Sequence, residues 1–548
     1  MVPRAWRLVR VSPRGRARQG RVISEPGRST FEAVGRSALI LTGAAAAIQV
    51  IGIVRELFIA ANVGIAPELD AMLVVLFLPT TLATVVTSGV VRAIVPAYLE
   101  ARTNAEPAVA RRLAGTAIVW VGVAGLVLWA ALELLAEPVA SIAGPGLSAS
   151  GREASAQYLR LLAPVAFVTT VSNVLSAVCQ AEERFGIIAA GLFATPAVTL
   201  GTMLLLWHDQ GLHSLAVGSL VGPIATFVVL VAATAWSRSV TLVIPRADDR
   251  VRALVRHAWP LTAGAAILQI NVIGDRAIAS LLAPGAVSAL RYADVLVRVP
   301  LGAIAPAWGS AIYPTLVNSS LGALRATLAE ASELAMRFVM VVFVPVAMLT
   351  AAVAPIAVAI AYGRGAFTIS DTDLTARTVA AFAPLLVTSM LVPILTGAHN
   401  ARRRGQLLLV GATLNVVLNI TLDVVLGRLM GAPGVALASS FAEASVAILF
   451  IRRLARSEDG FSTRPFARAT GLALLAGIPV GLVVAAISWT GAFPRELLPA
   501  LLMLIAVGLF GMAGYAVVAS RVGLHEPGAL ITLLASRFLR RHQTVQGS

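Results

Sequence analysis

The chain is a succession of long apolar runs separated by short polar or glycine- and proline-rich breaks. About twenty apolar residues carry a helix across a bilayer. On that rule the pattern predicts about fourteen spans. They fall at 37–60, 69–98, 112–136, 155–179, 186–207, 213–236, 254–282, 286–317, 331–361, 374–400, 406–427, 432–454, 467–490 and 497–520. Turn residues punctuate them at Gly64 with Pro67, Gly144-Pro145-Gly146, Pro284-Gly285, and Gly431 with Pro433-Gly434. The expected fold class is an all-α polytopic membrane protein.

Composition agrees, with 58% hydrophobic and 13% charged residues among 548 and a mean hydropathy of +0.85. The formal net charge is +16, and all 43 basic side chains are arginine. A basic balance can point to nucleic acid. Here the arginines cluster after alternate spans, which fits the anionic cytoplasmic leaflet and no nucleic-acid partner. Arg102, Arg111 and Arg112 follow the second span and Arg184 the fourth; Arg246, Arg250, Arg252 and Arg256 follow the sixth. Arg402, Arg403 and Arg404 follow the tenth, and Arg452, Arg453 and Arg456 the twelfth. The intervening stretches 65–69, 208–212 and 283–286 hold no arginine. The positive-inside rule then places both termini in the cytoplasm. The arginine-rich residues 1–36 read as a disordered cytoplasmic tail, not as a cleaved signal.

The stretch 267–300 repeats 47–79. Gln269 matches Gln49, Asp275-Arg276 falls where Arg55-Glu56 does, and Pro300 matches Pro79. Ala311-Ile312-Tyr313-Pro314 then echoes Ala93-Ile94-Val95-Pro96. Both copies begin on the cytoplasmic side, so the repeats are parallel, as in transporters that hold substrate between two lobes. The predicted organisation is two pseudo-symmetric lobes, 37–245 and 246–456, then two further helices over 457–521 and a cytoplasmic tail over 522–548.

Ionisable residues inside spans are costly and usually face a bundle interior or a wet cavity. Gln49, Gly52, Arg55 and Glu56 fall within a helical arc of roughly 120°. That face is either a self-neutralised Arg–Glu packing pair or one wall of a substrate cavity. Asp70 opens the second apolar run. Arg291, Asp294 and Arg298 share one face of the eighth span. They form either an ion-pair ladder or a row of guanidinium forks suited to phosphate. Arg92 is expected to snorkel to the interface, Asp423 to lie at headgroup level, and Asn415 and Asn419 to join helices.

No P-loop, HExxH, GxSxG or Cys/His cluster occurs, so no enzyme activity, metal or cofactor is expected. Cys179 is the single cysteine, which excludes an internal disulfide. The glycine-rich Tyr362–Thr372 joins two spans on the outer side and reads as a turn.

Several motifs in order carry a family resemblance: Gly52-Ile53-Val54-Arg55-Glu56, Asp70-Ala71, Leu78-Pro79, Gly89 and Val95-Pro96. Arg184-Phe185, Tyr292-Ala293-Asp294, Pro300-Leu301-Gly302, Arg364-Gly365-Ala366-Phe367-Thr368 with Asp371-Thr372, Ala401-Arg402, and Asn415 with Asn419 continue them. Over residues 37–455 the chain resembles the MurJ/MviN family of lipid II flippases, within the MOP transporter superfamily. The resemblance implies a two-lobed bundle in the bacterial cytoplasmic membrane. It would move a polyprenyl-pyrophosphate-linked saccharide from the inner to the outer leaflet by alternating access, with cell-wall synthases as candidate partners. Arg55 falls on a family cavity arginine and Asp70 on an acidic cavity position. The expected substrate contacts are Arg55, Arg291, Arg298, Gln49 and Gly52, with Glu56, Asp70 and Asp294 balancing charge or coupling to an ion.

This chain also departs from the family pattern. Gln49 stands where arginine is common, Ala83 and Thr84 where a basic pair is common, and Ser88 where glutamate is usual. Val295 replaces another arginine, and Arg298 an acidic residue. The alternative functions are a flippase for another lipid-linked oligosaccharide, a drug–cation antiporter, and a non-transporting scaffold of cell-wall synthesis.

Overall fold

The computed structural model describes residues 28–104, 106–241, 249–302, 325–402, 404–456, 461–490 and 496–524. Every regular element among them is helical. In chain order these are α1 (Arg28–Val63), α2 (Pro67–Leu76), α3 (Leu78–Thr103), α4 (Pro107–Leu134), α5 (Ala136–Ala143), α6 (Ala149–Leu162), α7 (Pro164–Ala181), α8 (Phe185–Gln210) and α9 (His213–Trp236). The second half adds α10 (Asp249–Ser280), α11 (286–302), α12 (Arg325–Tyr362), α13 (Ile369–Phe382), α14 (Leu385–Ala401), α15 (Gly405–Met430), α16 (Ala432–Ala455), α17 (Thr463–Ser488) and α18 (Leu497–Arg521).

Among the described residues, 12 segments are long and apolar enough to cross a membrane. The two other predicted spans fall on α10, which carries Asp275 and Arg276, and on α11; residues 303–317 of the second predicted span lie outside the described residues. Residues 28–36, expected in the N-terminal tail, belong to α1; residues 1–27 and the final residues 525–548 lie outside the described set.

Three predicted spans are broken where a proline removes a helical donor. The run 69–98 divides at Phe77, because Pro79 has no N–H for the carbonyl of Val75, which instead accepts from Phe77. Pro164 separates α6 from α7 in the same way, and Pro384 separates α13 from α14. Hydropathy alone does not reveal these breaks, since both flanks are apolar.

The helix pairings repeat. In the first half α1 packs on α8, α8 on α9, and α7 on α9; in the second, α10 packs on α15, α15 on α16, and α14 on α16. The same neighbours therefore recur in the same order, the structural counterpart of the repeat between 47–79 and 267–300. Helix α17 packs along α12, and α18 lies against both. Small residues allow close approach within a half: Thr199 Oγ1 on α8 donates to the Gly218 carbonyl of α9 at 3.0 Å, and Thr226 Oγ1 on α9 to the Gly191 carbonyl of α8 at 2.6 Å. Large apolar side chains such as Leu205 and Leu509 stay exposed, as lipid-facing positions require.

Candidate functional site

The halves close on one another at the arginine-poor end. Asp70, 4% exposed, reaches from α2 to the start of α11. Its Oδ2 accepts the Gly285 N–H at 2.6 Å; its Oδ1 accepts the Ser288 N–H at 2.8 Å and also the Ser288 hydroxyl. A helix start needs acceptors for its free N–H groups, and α11 receives them from the other half of the molecule.

Two more loops lock into this seam. The Ala366 N–H donates to the Ala61 carbonyl at 2.8 Å, and the Tyr292 hydroxyl to the Gly64 carbonyl at 3.0 Å. Gly64 and Gly365 have φ of +69° and +64°; a Cβ on Gly64 would overlap the Ala366 backbone, and one on Gly365 the Ala61 backbone at the end of α1. The glycine-rich turn after Tyr362 is thus part of the closure. Tyr292, Tyr362 and Phe367 stack beside it.

Below the seam lies a cavity of about 600 Å³, within the range that encloses a ligand group. Its two walls differ. The first half contributes Arg55, Phe77 and the hydroxyls of Thr80, Thr195, Thr199 and Ser219. The second contributes Asp275, Arg276, Arg291, Asp294, Arg298 and Glu443, with amides from Asn271, Asn415 and Asn419.

The predicted groups distribute as follows. Arg55 and Arg291 line the cavity and converge on one oxygen, Glu56 Oε1, at 2.8 Å and 2.7 Å. Glu56 is 3% exposed and tied to both halves. The Arg55–Glu56 pair is thus neutralised, and its arginine also lines the cavity. Among the described residues, Arg55 Nε is buried without a hydrogen-bond acceptor.

Arg298 and Asp294 form an i,i+4 ion pair at 2.8 Å and also line the cavity. Asp70, Gln49 and Gly52 are not lining residues. Asp70 belongs to the seam, Gln49 lies beside Gly302 of the other half, and the Gly52 Cα faces open space. Arg92 is exposed.

The sequence reading missed one cluster. Asp423, expected at headgroup level, is fully buried on α15. Asn419 Nδ2 donates to Asp423 Oδ2 at 2.8 Å and to Asp275 on α10, and Asn271 donates to Asn415 at 3.1 Å. The two asparagines do join helices, but they also bring two carboxylates together. Among the described residues, Asp423 Oδ1, Asn419 Oδ1 and Asn271 Oδ1 are buried without hydrogen-bond partners. Two carboxylates this close in an apolar wall call for a proton or a small hard cation between them, and the oxygen donors suit either. Spacing between Asn415, Asn419 and Asp423 on one helix face was the available signal; the matching Asp275 on another helix was not readable from it. Among the described residues no group of three His, Cys, Asp or Glu side chains is placed to hold a metal.

Comparison with known proteins agrees with this architecture. The family model described as "Lipid II flippase MurJ" matches residues 59–511. A probable lipid II flippase MurJ of Haemophilus influenzae is 25% identical over 80% of this chain and 89% of its own length. One of Rhizobium meliloti is 23% identical over 82% of this chain and 86% of its own length. Among solved structures, a lipid II flippase MurJ in an inward closed conformation superposes with a TM-score of 0.72 at 19% identity, covering 88% of this chain and 98% of that one. An inward-facing MATE family multidrug transporter of the MOP superfamily gives a TM-score of 0.63 at 13% identity, covering 76% of this chain and 98% of that one. These likenesses to solved structures establish the fold, and the family match spans most of the sequence: the chain belongs to the MurJ family of lipid II flippases.

Proposed function

We propose that this chain moves lipid II, a polyprenyl-pyrophosphate-linked saccharide, from the inner to the outer leaflet of the bacterial cytoplasmic membrane by alternating access, with both termini in the cytoplasm. The observation that carries the mechanism is the convergence of Arg55 and Arg291, from opposite halves, on one oxygen of Glu56 at the cavity wall. A pyrophosphate is a stronger acceptor for two guanidinium groups than a single shared carboxylate oxygen. On arrival it takes over part of their bonding, Arg55 Nε gains an acceptor, and the tie between the halves loosens. Arg298 adds a further fork, Glu56 and Asp294 balance charge when the cavity is empty, and Gln49 and Gly52 border the entry. Asp70 acts at the seam by holding the outer face shut.

Asp275, Asn419 and Asp423 are the coupling group in this reading. A cation or proton taken up there draws α10 and α15 together within the second half. The membrane potential offers about 2.3 kcal/mol per charge per 100 mV to bias such a step. The relatives carry the lipid II name, which favours that substrate over an exopolysaccharide precursor or a scaffold role; the MATE likeness extends to the fold alone. Cell-wall synthases that consume the flipped precursor are the partners this activity requires on the outer side.

The test is depletion of the host flippase and rescue by this chain or by Arg55→Ala, with an assay of which lipid-linked precursor reaches the outer leaflet. Lipid II exposed by the wild type and not by Arg55→Ala is the expected result. Exposure of a different lipid-linked glycan transfers the assignment to that substrate. If no precursor moves and the two proteins behave alike, the transport reading fails.

A further inference from the structure

Four arginines line the cavity, and three of them already hold a carboxylate: Arg55 and Arg291 share Glu56, and Arg298 holds Asp294. Arg276 is different. Among the described residues no carboxylate lies within ion-pair distance of it, and its one hydrogen bond runs from Nη1 to the Val272 carbonyl at 2.8 Å, one turn back on α10. Its sequence neighbour Asp275 is engaged by Asn419 on α15. A guanidinium has five N–H donors, so among the described residues four of them have no acceptor.

The group is nevertheless held in place. Its Cζ lies 3.8 Å from the centre of the Phe77 ring, which comes from the other half of the molecule, at the break between α2 and α3. An arginine stacked on an aromatic face keeps its in-plane N–H donors free. Phe77 therefore fixes the plane of Arg276 without competing for the edge that binds oxygen. The carboxylates of Asp275 and Asp294 lie near enough to offset part of its charge without bonding it, so the guanidinium is tolerated in the cavity wall with its donors left for a ligand.

We propose that Arg276 on its Phe77 platform is the first anion subsite of the cavity, built for the diphosphate of the lipid-linked precursor. This rests on the flippase reading above and adds a residue to it. Arg276 takes a phosphate without breaking any ion pair, and the Arg55–Glu56–Arg291 tie exchanges afterwards. The subsite spans both halves, since the platform and the guanidinium come from different repeats. It also gives a cavity that lacks several of the family's arginines a further guanidinium for a diphosphate: in the repeat, Asp275-Arg276 takes the place of Arg55-Glu56.

The experiment uses the full chain in lipid nanodiscs, with farnesyl diphosphate as the probe and farnesol as the uncharged comparison, followed by tryptophan fluorescence. The wild type is expected to prefer the diphosphate, with an affinity that falls as salt rises. Arg276→Gln is expected to weaken diphosphate binding about tenfold or more, while farnesol binding stays the same. Arg276→Lys, which keeps charge and loses the fork, and Phe77→Leu, which keeps the arginine and loses the platform, are each expected to weaken it about threefold. Arg377→Gln, on an exposed i,i+4 pair with Asp373 outside the cavity, serves as the control with wild-type affinity.

If Arg276→Gln binds the diphosphate as the wild type does, while Arg55→Gln with Arg291→Gln abolishes binding, the Arg276 subsite is overturned and the flippase reading stands. If the wild type shows no preference for diphosphate over farnesol, both are overturned. Should Arg276→Gln fail to fold, wild-type affinity in both Arg276→Lys and Phe77→Leu overturns the subsite.

Discussion

The two halves repeat the same helix pairings, yet their cavity walls are chemically unlike. The first half offers hydroxyls and one arginine; the second carries six charged side chains and three asparagines. Pairing between neighbouring helices depends on small residues and apolar surface, which tolerate many substitutions. Buried charge depends on individual partners. A repeated architecture can therefore hold its shape while nearly all of its charge gathers on one side. The contrast suggests a division of labour in which the charged wall of the second half, joined by Arg55 and Phe77 of the first, holds the phosphates and the hydroxyl wall of the first half faces the saccharide.

The two sides are joined at Glu56, and the largest effect is expected there. Glu56→Gln leaves two guanidinium groups facing each other across a buried amide. Breaking a buried pair in this way costs about 3–5 kcal/mol. The purified protein should unfold at clearly lower temperature, while its affinity for farnesyl diphosphate rises because Arg55 and Arg291 are released. Unchanged melting with unchanged affinity would show that the tie contributes nothing to either.

The seam is the next place to break the comparison. Asp70→Asn keeps the side chain's shape but removes the charge that accepts from Gly285 and Ser288. Losing charge-assisted bonds of this kind is worth about 2–3 kcal/mol, enough to move a two-state equilibrium by more than tenfold. Spin labels on the exposed Leu134 and Ile369, one from each half, in a Cys179→Ser background, should show a longer separation in Asp70→Asn. Identical distance distributions would mean that the seam closes without Asp70.

These two ties also mark the limit of what the sequence discloses. Helix positions were legible because hydropathy acts locally, and the face shared by Arg291, Asp294 and Arg298 was legible because it lies on one helix. Glu56 with Arg291, Asp70 with Ser288, and Asp275 with Asn419 are each separated by more than a hundred residues. Nothing in a single sequence states which distant turn of helix will face another. Asp423 was misplaced for that reason: near a helix end it reads as interfacial, and only the neighbouring α10 makes it interior. The breaks at Phe77 and before Pro164 and Pro384 were available from proline chemistry, but the apolar pattern runs straight through them.

A smaller effect is expected from Gly365→Ala. The left-handed backbone costs about 1–2 kcal/mol for a residue with a Cβ, and the added methyl meets the Ala61 carbonyl across the seam. Both terms act only while the halves are closed at this end. The same label pair should therefore shift toward the longer separation, less than in Asp70→Asn, with little change in diphosphate affinity. An affinity loss comparable to that of Arg276→Gln would show that the seam and the cavity are not separable.

The mildest substitution probes the first half's wall directly. Ser219 lines the cavity, and among the described residues its hydroxyl makes no hydrogen bond. Ser219→Ala should therefore leave stability within about 0.5 kcal/mol and leave farnesyl diphosphate binding unchanged, since that probe has no sugar. If the first half faces the saccharide, transport of the sugar-bearing precursor should fall about threefold, the worth of one neutral hydrogen bond. A loss shared equally by the sugar-free probe would place phosphate against the hydroxyl wall as well and end the proposed division of labour. No loss with either would confine recognition to the charged groups, Arg55, Arg276, Arg291 and Arg298.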